Sequence, residues 1–162
     1  MAAFILKPID SDRTGANVAP KTDVTGTNFD YATLDFDATT DEHADWNIWT
    51  DSLYDSGTIY VDIYWKAAAT TGSVVWQVNL RGAASGEIYD STLGSDNYVS
   101  DTPAGTTEYI KKCTVTISTT GLSPGDATVL RISRDANGTH GTDNMAGDAK
   151  LLFAVVRFSV RN

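Results

Sequence analysis

The chain has 162 residues, 21 of them acidic and 12 basic, for a formal net charge of −9. That length fits one domain that buries its own core, and the charge, with no basic cluster to neutralise phosphates, argues against nucleic acids and anionic membranes as partners. Cys113 is the only cysteine, so an intrachain disulfide is excluded, and no stretch approaches the length of a membrane span.

In chain order, the start MAAFILKPID places only five apolar residues between Met1 and Lys7. That is too short for a signal-peptide core, so the sequence predicts a protein made and assembled in a cytoplasm. Phe4 to Leu6 reads as a short first strand. Lys7 to Asp30 is polar and broken by Pro8, Gly15, Pro20 and Gly26. It has too little apolar content for a core of its own, so residues 1–30 are expected to be an extended N-terminal arm or a long loop, with 31–162 as the single folded domain.

Tyr31 to Ala38 alternates, with Leu34 and Phe36 on one face. Asp41 to Asp45 reads as a charged turn or a short helical turn, and Trp46 to Tyr54 as an irregular aromatic strand. Thr58 to Lys66 puts Ile59, Val61, Ile63 and Trp65 on one face and Tyr60, Asp62, Tyr64 and Lys66 on the other. After the turn at Thr70-Thr71-Gly72, Val74, Trp76, Val78 and Leu80 alternate with Val75, Gln77, Asn79 and Arg81. The two runs are expected to pair as a hairpin with one face solvated.

Ser85 to Thr106 reads as a long polar connection, Tyr109 to Thr119 as a strand with Cys113, Val115 and Ile117 inward, and GLSPGD as a turn. Thr128 to Arg134 is a strand, Asp135 to Ala149 a long loop, and Lys150 to Val160 the last strand. In that strand Leu152, Ala154, Val156, Phe158 and Val160 are expected to face inward, and Leu151, Phe153 and Val155 outward. The sum is all-β: a two-sheet antiparallel sandwich of jelly-roll type with about eight strands.

Chemistry-bearing residues are few. Asp135, Asn137 and Asp143, with His140 between, offer oxygen ligands in one loop, but their spacing does not match an EF-hand. Asn137-Gly138-Thr139 is formally a glycosylation sequon, here without a secretion signal. His43 and His140 are the only histidines, and neither lies in a hydrolase or metalloprotease motif. Nothing selects a carboxylate pair for glycoside hydrolysis. Cys113 reads as a small buried hydrophobe. The chain is therefore read as no enzyme, with no metal and no cofactor. Trp65 and Trp76 read as core, while Tyr60 and Tyr64, together with Leu151, Phe153 and Val155, form an outward apolar patch suited to a subunit interface. Tyr60 and Tyr64 would also serve as a sugar-stacking platform.

The order of segments carries a resemblance from about Trp46 to Val160: an aromatic segment, YDSGTIYVDIYWKA, GSVVWQVNL, a Thr-rich strand, LSPGDATVLRISRDA and DAKLLFAVVRFSV. Its most specific pieces are the W…G…W hairpin, the PGD turn followed by the RxxRD run of Arg131 to Asp135, and the last strand led by Asp-Ala. This resembles the small jelly-roll structural proteins encoded among the virion genes of tailed bacteriophages, which are associated with capsid decoration or with head and tail fibres. The resemblance implies a non-enzymatic virion protein, most simply a capsid decoration protein that binds the major capsid protein or other virion proteins as a homo-oligomer, with a trimer favoured. On that reading Phe4, Ile5, Leu6, Pro8, Val18, Pro20 and Phe29 contact the capsid. The alternative is a carbohydrate-binding jelly-roll module of a fibre or adhesin.

Overall fold

The computed structural model describes residues 1–118 and 121–161. Thr119, the expected end of one strand, and Asn162, the end of the expected domain, lie outside the described residues. Two antiparallel sheets pack face to face. The six-stranded sheet runs in the order β2 (Lys21–Thr25), β3 (Asp30–Phe36), β10 (Ala149–Val160), β5 (Tyr54–Lys66) and β8 (Lys111–Ile117), with β1 (Ala2–Leu6) also pairing β10. The four-stranded sheet runs β4 (Glu42–Trp49), β9 (Ala127–Arg134), β6 (Val74–Ala83) and β7 (Asn97–Asp101). This is the jelly-roll sandwich expected, with ten strands among the described residues rather than about eight.

The period-2 alternation sets which side chains meet between the sheets. From the six-stranded sheet come Leu34, Phe36, Ile59, Val61, Ile63, Trp65, Val115, Ile117, Val156 and Phe158; from the four-stranded sheet come Trp46, Val74, Trp76, Val78, Leu130 and Ile132, all buried. Large aromatics interlock at the centre. Trp65 meets Trp76 edge-on at 5.9 Å, and Phe36 meets Trp76 edge-on at 5.1 Å.

That indole contact corrects the expected hairpin. The strand through Trp65 and the strand through Trp76 do not pair; they lie in opposite sheets and face each other across the core. Each needs one apolar face for that, so the alternation is the same as in a hairpin. The link between them, 67–73, crosses from one sheet to the other. At Gly72, φ is +94°, and a Cβ there would meet Met145 Cα at 2.7 Å, so the crossing requires glycine.

Residues 1–30 are built into the sandwich and do not form a free arm. Leu6 and Pro8 are buried, and Phe4 packs on Phe158 at 6.0 Å. The Trp46 indole donates to the Lys7 carbonyl at 3.0 Å. Val18 bridges to His43, the Pro20 carbonyl accepts from Asp35 N, and β2 extends the sheet. Leu6, Pro8 and, in large part, Phe4 are therefore spent inside the fold, while Ile5 and Phe29 remain exposed. The polarity of this segment suggested an arm. It is polar because edge strands need only one apolar residue in two, and sometimes fewer.

Asp41 to Asp45 is not a turn: β4 begins at Glu42 and runs through Trp49. The connection from Ser85 to Thr106 contains β7. In β10 the pairing with β5 slips by one residue between Leu151 and Phe153, which makes Leu152 the extra residue of a β-bulge. The bulge inverts the alternation beyond it. Leu151 is therefore fully buried in the core, contrary to its expected place on the outer patch, and Leu152 turns outward beside Phe153.

Candidate functional site

The outer face of the four-stranded sheet carries a polar groove of about 560 Å³. Its floor is two rungs of side chains on neighbouring strands in register: His43, Ser133 and Gln77, then Arg131 and Asn79. All alternate with core residues on the same strands, so the sequence pattern that builds the core also lines the groove.

Hydrogen bonds hold the floor in place. Asp45 takes both Arg131 Nε and Nη2, at 2.7 and 2.8 Å. Asn79 donates Nδ2 to the Gly94 carbonyl at 3.0 Å and to Asp96 Oδ1 at 2.7 Å, while its Oδ1 accepts from Gln77 Nε2 at 2.9 Å. Gln77 Nε2 also reaches Asp96 Oδ1 at 3.0 Å. Gln77 Oε1 takes no hydrogen bond among the described residues. Burial, followed by the charge of Arg131, pushes the His43 imidazole below its ordinary value, so the floor favours a neutral ring there.

Two loops make the walls. The β6–β7 loop crosses the sheet: Arg81 donates to the Ile88 carbonyl at 3.0 Å, Tyr89 OH donates to Asn47 Oδ1 on β4, and Gly94 N donates to the Leu80 carbonyl at 3.0 Å. Ser91, Thr92, Leu93, Gly94 and Asp96 of this loop line one side. The second wall is Asp135 of the β9–β10 loop, with Asp41 and Glu42 beside it at the start of β4. Burial raises the Glu42 carboxyl, against the hydrogen bond from Asp37 N.

The loop after β9 is anchored from below. Arg134 is buried and donates to Asp143 and to the carbonyls of Phe36, Met145 and Gly147. This spends Asp143, one of the oxygen-bearing side chains singled out in that loop. Among the described residues, no group of three or more His, Cys, Asp or Glu side chains gathers as a metal site.

The predicted interface residues lie on the other side of the molecule. Tyr60, Tyr64, Phe153 and Val155 share the outer face of the six-stranded sheet, as expected, and Leu151 does not. Phe153 stacks on Tyr64 at 4.6 Å and 21°, Lys112 lies over the Tyr64 ring, and Arg157 over the Tyr60 ring. The tyrosine rings are thus partly occupied, which weakens them as a sugar-stacking platform. Beside them an apolar groove of about 630 Å³ is lined by Ile5, Ile9, Phe29, Ile110 and Leu152. Of the predicted capsid contacts, Ile5, Pro8 and Phe29 line this apolar groove, while Leu6 is inside the core and Val18 sits by His43.

The polar groove was not visible as a site in the sequence. Gln77, Asn79 and Arg81 read simply as the solvated face of a strand. The available signal was the run of Gln, Asn and Arg at alternate positions followed by a long polar connection.

No protein-family profile and no curated protein matches this chain in sequence. Solved structures do match in fold. The family 35 carbohydrate-binding module from Cellvibrio japonicus Abf62 superposes with a TM-score of 0.56 at 12% identity, covering 99% of this chain and 96% of that one. The module CsCBM6-3 from Clostridium stercorarium, solved with cellobiose, gives 0.52 at 16% identity, covering 96% and 94%. An exo-β-1,3-galactanase from Phanerochaete chrysosporium gives 0.56 at 15% identity; this chain spans 97% of its own length but only 30% of the galactanase. What this chain shares with them is the two-sheet jelly-roll fold.

Proposed function

We propose that this protein is a non-enzymatic glycan-binding module and that the groove on the four-stranded sheet is its sugar site. The observation that carries the reading is the groove's floor, where the amides of Gln77 and Asn79 and the Arg131 guanidinium are held in fixed orientation by their own hydrogen bonds. Sugars present many hydroxyl donors and acceptors and no strong charge. A site that recognises them needs polar groups already ordered, because ordering them at binding costs affinity. The volume falls in the range of roughly 300–1,000 Å³ usual for small-ligand sites. Both arginines in the groove are committed to carboxylates, so the surface offers hydrogen bonds more than net positive charge.

The neighbours support the same reading, since the two matched along nearly their own full length are carbohydrate-binding modules. The capsid-decoration reading rests on the resemblance of strand sequences, and its proposed contacts divide between the core, the apolar groove and the neighbourhood of His43. The test is a glycan array followed by calorimetric titration with the best hits, using the protein and Gln77→Ala. Binding that falls in the variant supports the assignment. No binding to any glycan, or binding indifferent to Gln77→Ala and Asn79→Ala, overturns it.

A further inference from the structure

His140 joins the two walls of the polar groove. Its Nε2 lies 3.0 Å from Asp96 Oδ2 on the β6–β7 loop. Its Nδ1 is buried, 3.3 Å from Asp135 Oδ2 on the β9–β10 loop, and makes no aligned hydrogen bond. The ring also packs on Tyr98 of β7 at 4.8 Å. One imidazole therefore spans two carboxylates from two loops.

A neutral imidazole has one N–H and donates to one carboxylate; its other nitrogen then turns a lone pair toward the second. The imidazolium carries an N–H on both nitrogens and a positive charge that faces both carboxylates. Asp135 does not depend on the ring, because it accepts from Thr139 N at 3.1 Å and His140 N at 2.6 Å. Asp96 is different. Its Oδ1 orients Gln77 and Asn79, and its Oδ2 is left to His140. The ring thus acts on the groove floor through one carboxylate.

We propose that His140 is a positioning residue, a proton-dependent clamp that ties the two loop walls together and, through Asp96, sets the amide orientations of Gln77 and Asn79. The proposal rests on the reading of the groove as a glycan site. The titratable groups meeting the ring are Asp96, Asp135 and Tyr98. Behind Asp135 the Arg134–Asp143 pair is closed on itself, and Asp41 is held by Asn137. Protonation adds the second donor, so the clamp is tight in acid and slackens as the proton leaves. His43 also titrates in the groove, on the floor rather than between the walls, so it must be separated by a variant.

Two measurements decide this. In the ¹⁵N-labelled protein, the side-chain amide resonances of Gln77 and Asn79 are followed from about pH 5 to about pH 8, across the range of imidazole titration. They are expected to move with the midpoint of the His140 ring, and to stop doing so in His140→Gln and Asp96→Asn, both of which keep His43. Amides that ignore the ring, or that move equally in His140→Gln, overturn the clamp. Affinities for cellobiose and β-1,3-galactotriose are then compared at the two ends of that range. The wild type is expected to bind about threefold more weakly at the alkaline end, and His140→Gln to show no such change. Wild-type binding independent of pH also overturns the clamp. If neither sugar binds at any pH, the glycan reading loses support, while the amide titration still decides the clamp.

Discussion

The Arg134 guanidinium and the Asp143 carboxylate form a pair with no exposed side-chain surface, Nη2 to Oδ1 at 2.7 Å and Nε to Oδ2 at 3.0 Å. The remaining guanidinium protons reach three backbone carbonyls, and Asp143 Oδ2 also accepts from Val75 N at 3.0 Å. One side chain at the end of β9 thereby fixes the loop that closes the groove. Arg134→Met would strand a buried carboxylate and leave three carbonyls without a donor. A loss of about 3–5 kcal/mol in urea unfolding is expected. Arg134→Lys should recover little, since an ammonium lacks the planar fork. A loss under about 1 kcal/mol would show that the loop stands without the pair.

Asp62 lies on the outer face of the six-stranded sheet, and it is buried by the partners that surround it. Arg157 donates twice, at 2.7 and 2.9 Å, Thr114 donates at 2.6 Å, and Lys112 lies 3.2 Å away. The Arg157 hydrogen bonds, against the opposing effect of burial, hold the carboxyl down at about 2. Its folded value is below the unfolded value of about 3.9, so the contribution is present above that value and is lost as pH falls toward about 2. Asp62→Asn should cost about 1–2 kcal/mol at neutral pH and flatten the acid limb of a Tm-against-pH curve. An unchanged acid limb would place the acid sensitivity elsewhere.

The two outer faces make separable predictions. Gln77→Ala should weaken glycan binding about tenfold by removing one oriented amide from the floor. Phe153→Asp, on the opposite sheet, should leave that affinity unchanged. Light scattering on the same Phe153→Asp protein tests the expected subunit interface: a fall in solution mass relative to the wild type would support it, and an equal mass would count against it.

Gly72→Ala tests the crossing between the sheets. The added Cβ meets Met145 backbone within 2.7 Å at a positive φ, two penalties that together are worth about 2–3 kcal/mol. Chemical denaturation should show it, with Gly86→Ala, where φ is +93° and no atom lies within 4 Å, as the milder control.

Cys113 is buried on β8, and burial pushes its thiol well above the ordinary value, followed by a smaller effect of the Asp101 charge. The folded protein should therefore resist iodoacetamide at neutral pH and react once unfolded. Rapid labelling of the native state would mean that the core around Val115 opens.

The alternation of apolar residues was enough to determine the fold class. Leu34 and Phe36, Ile59 to Trp65, Val74 to Leu80 and Cys113 to Ile117 each declare an inner face, because period 2 is a local property of an extended backbone. What faces that inner side is not local. Trp65 and Trp76 meet across the core rather than side by side in a hairpin, and both arrangements demand the same alternation. The bulge at Leu152 reversed the faces of Leu151 and Leu152 because two neighbouring strands, not one sequence, set the register. Lys7 to Asp30 looked too polar for a core of its own, yet residues 1–30 join the sheet, β1 on β10 at the far end of the chain and β2 on the neighbouring β3. The groove depended most on tertiary structure. Gln77, Asn79, Asp96, Arg131 and His140 come from two strands and two loops, and each alone reads as a solvated side chain. Only the packing of β9 between β4 and β6, with the β6–β7 loop folded over them, brings their polar ends into one site.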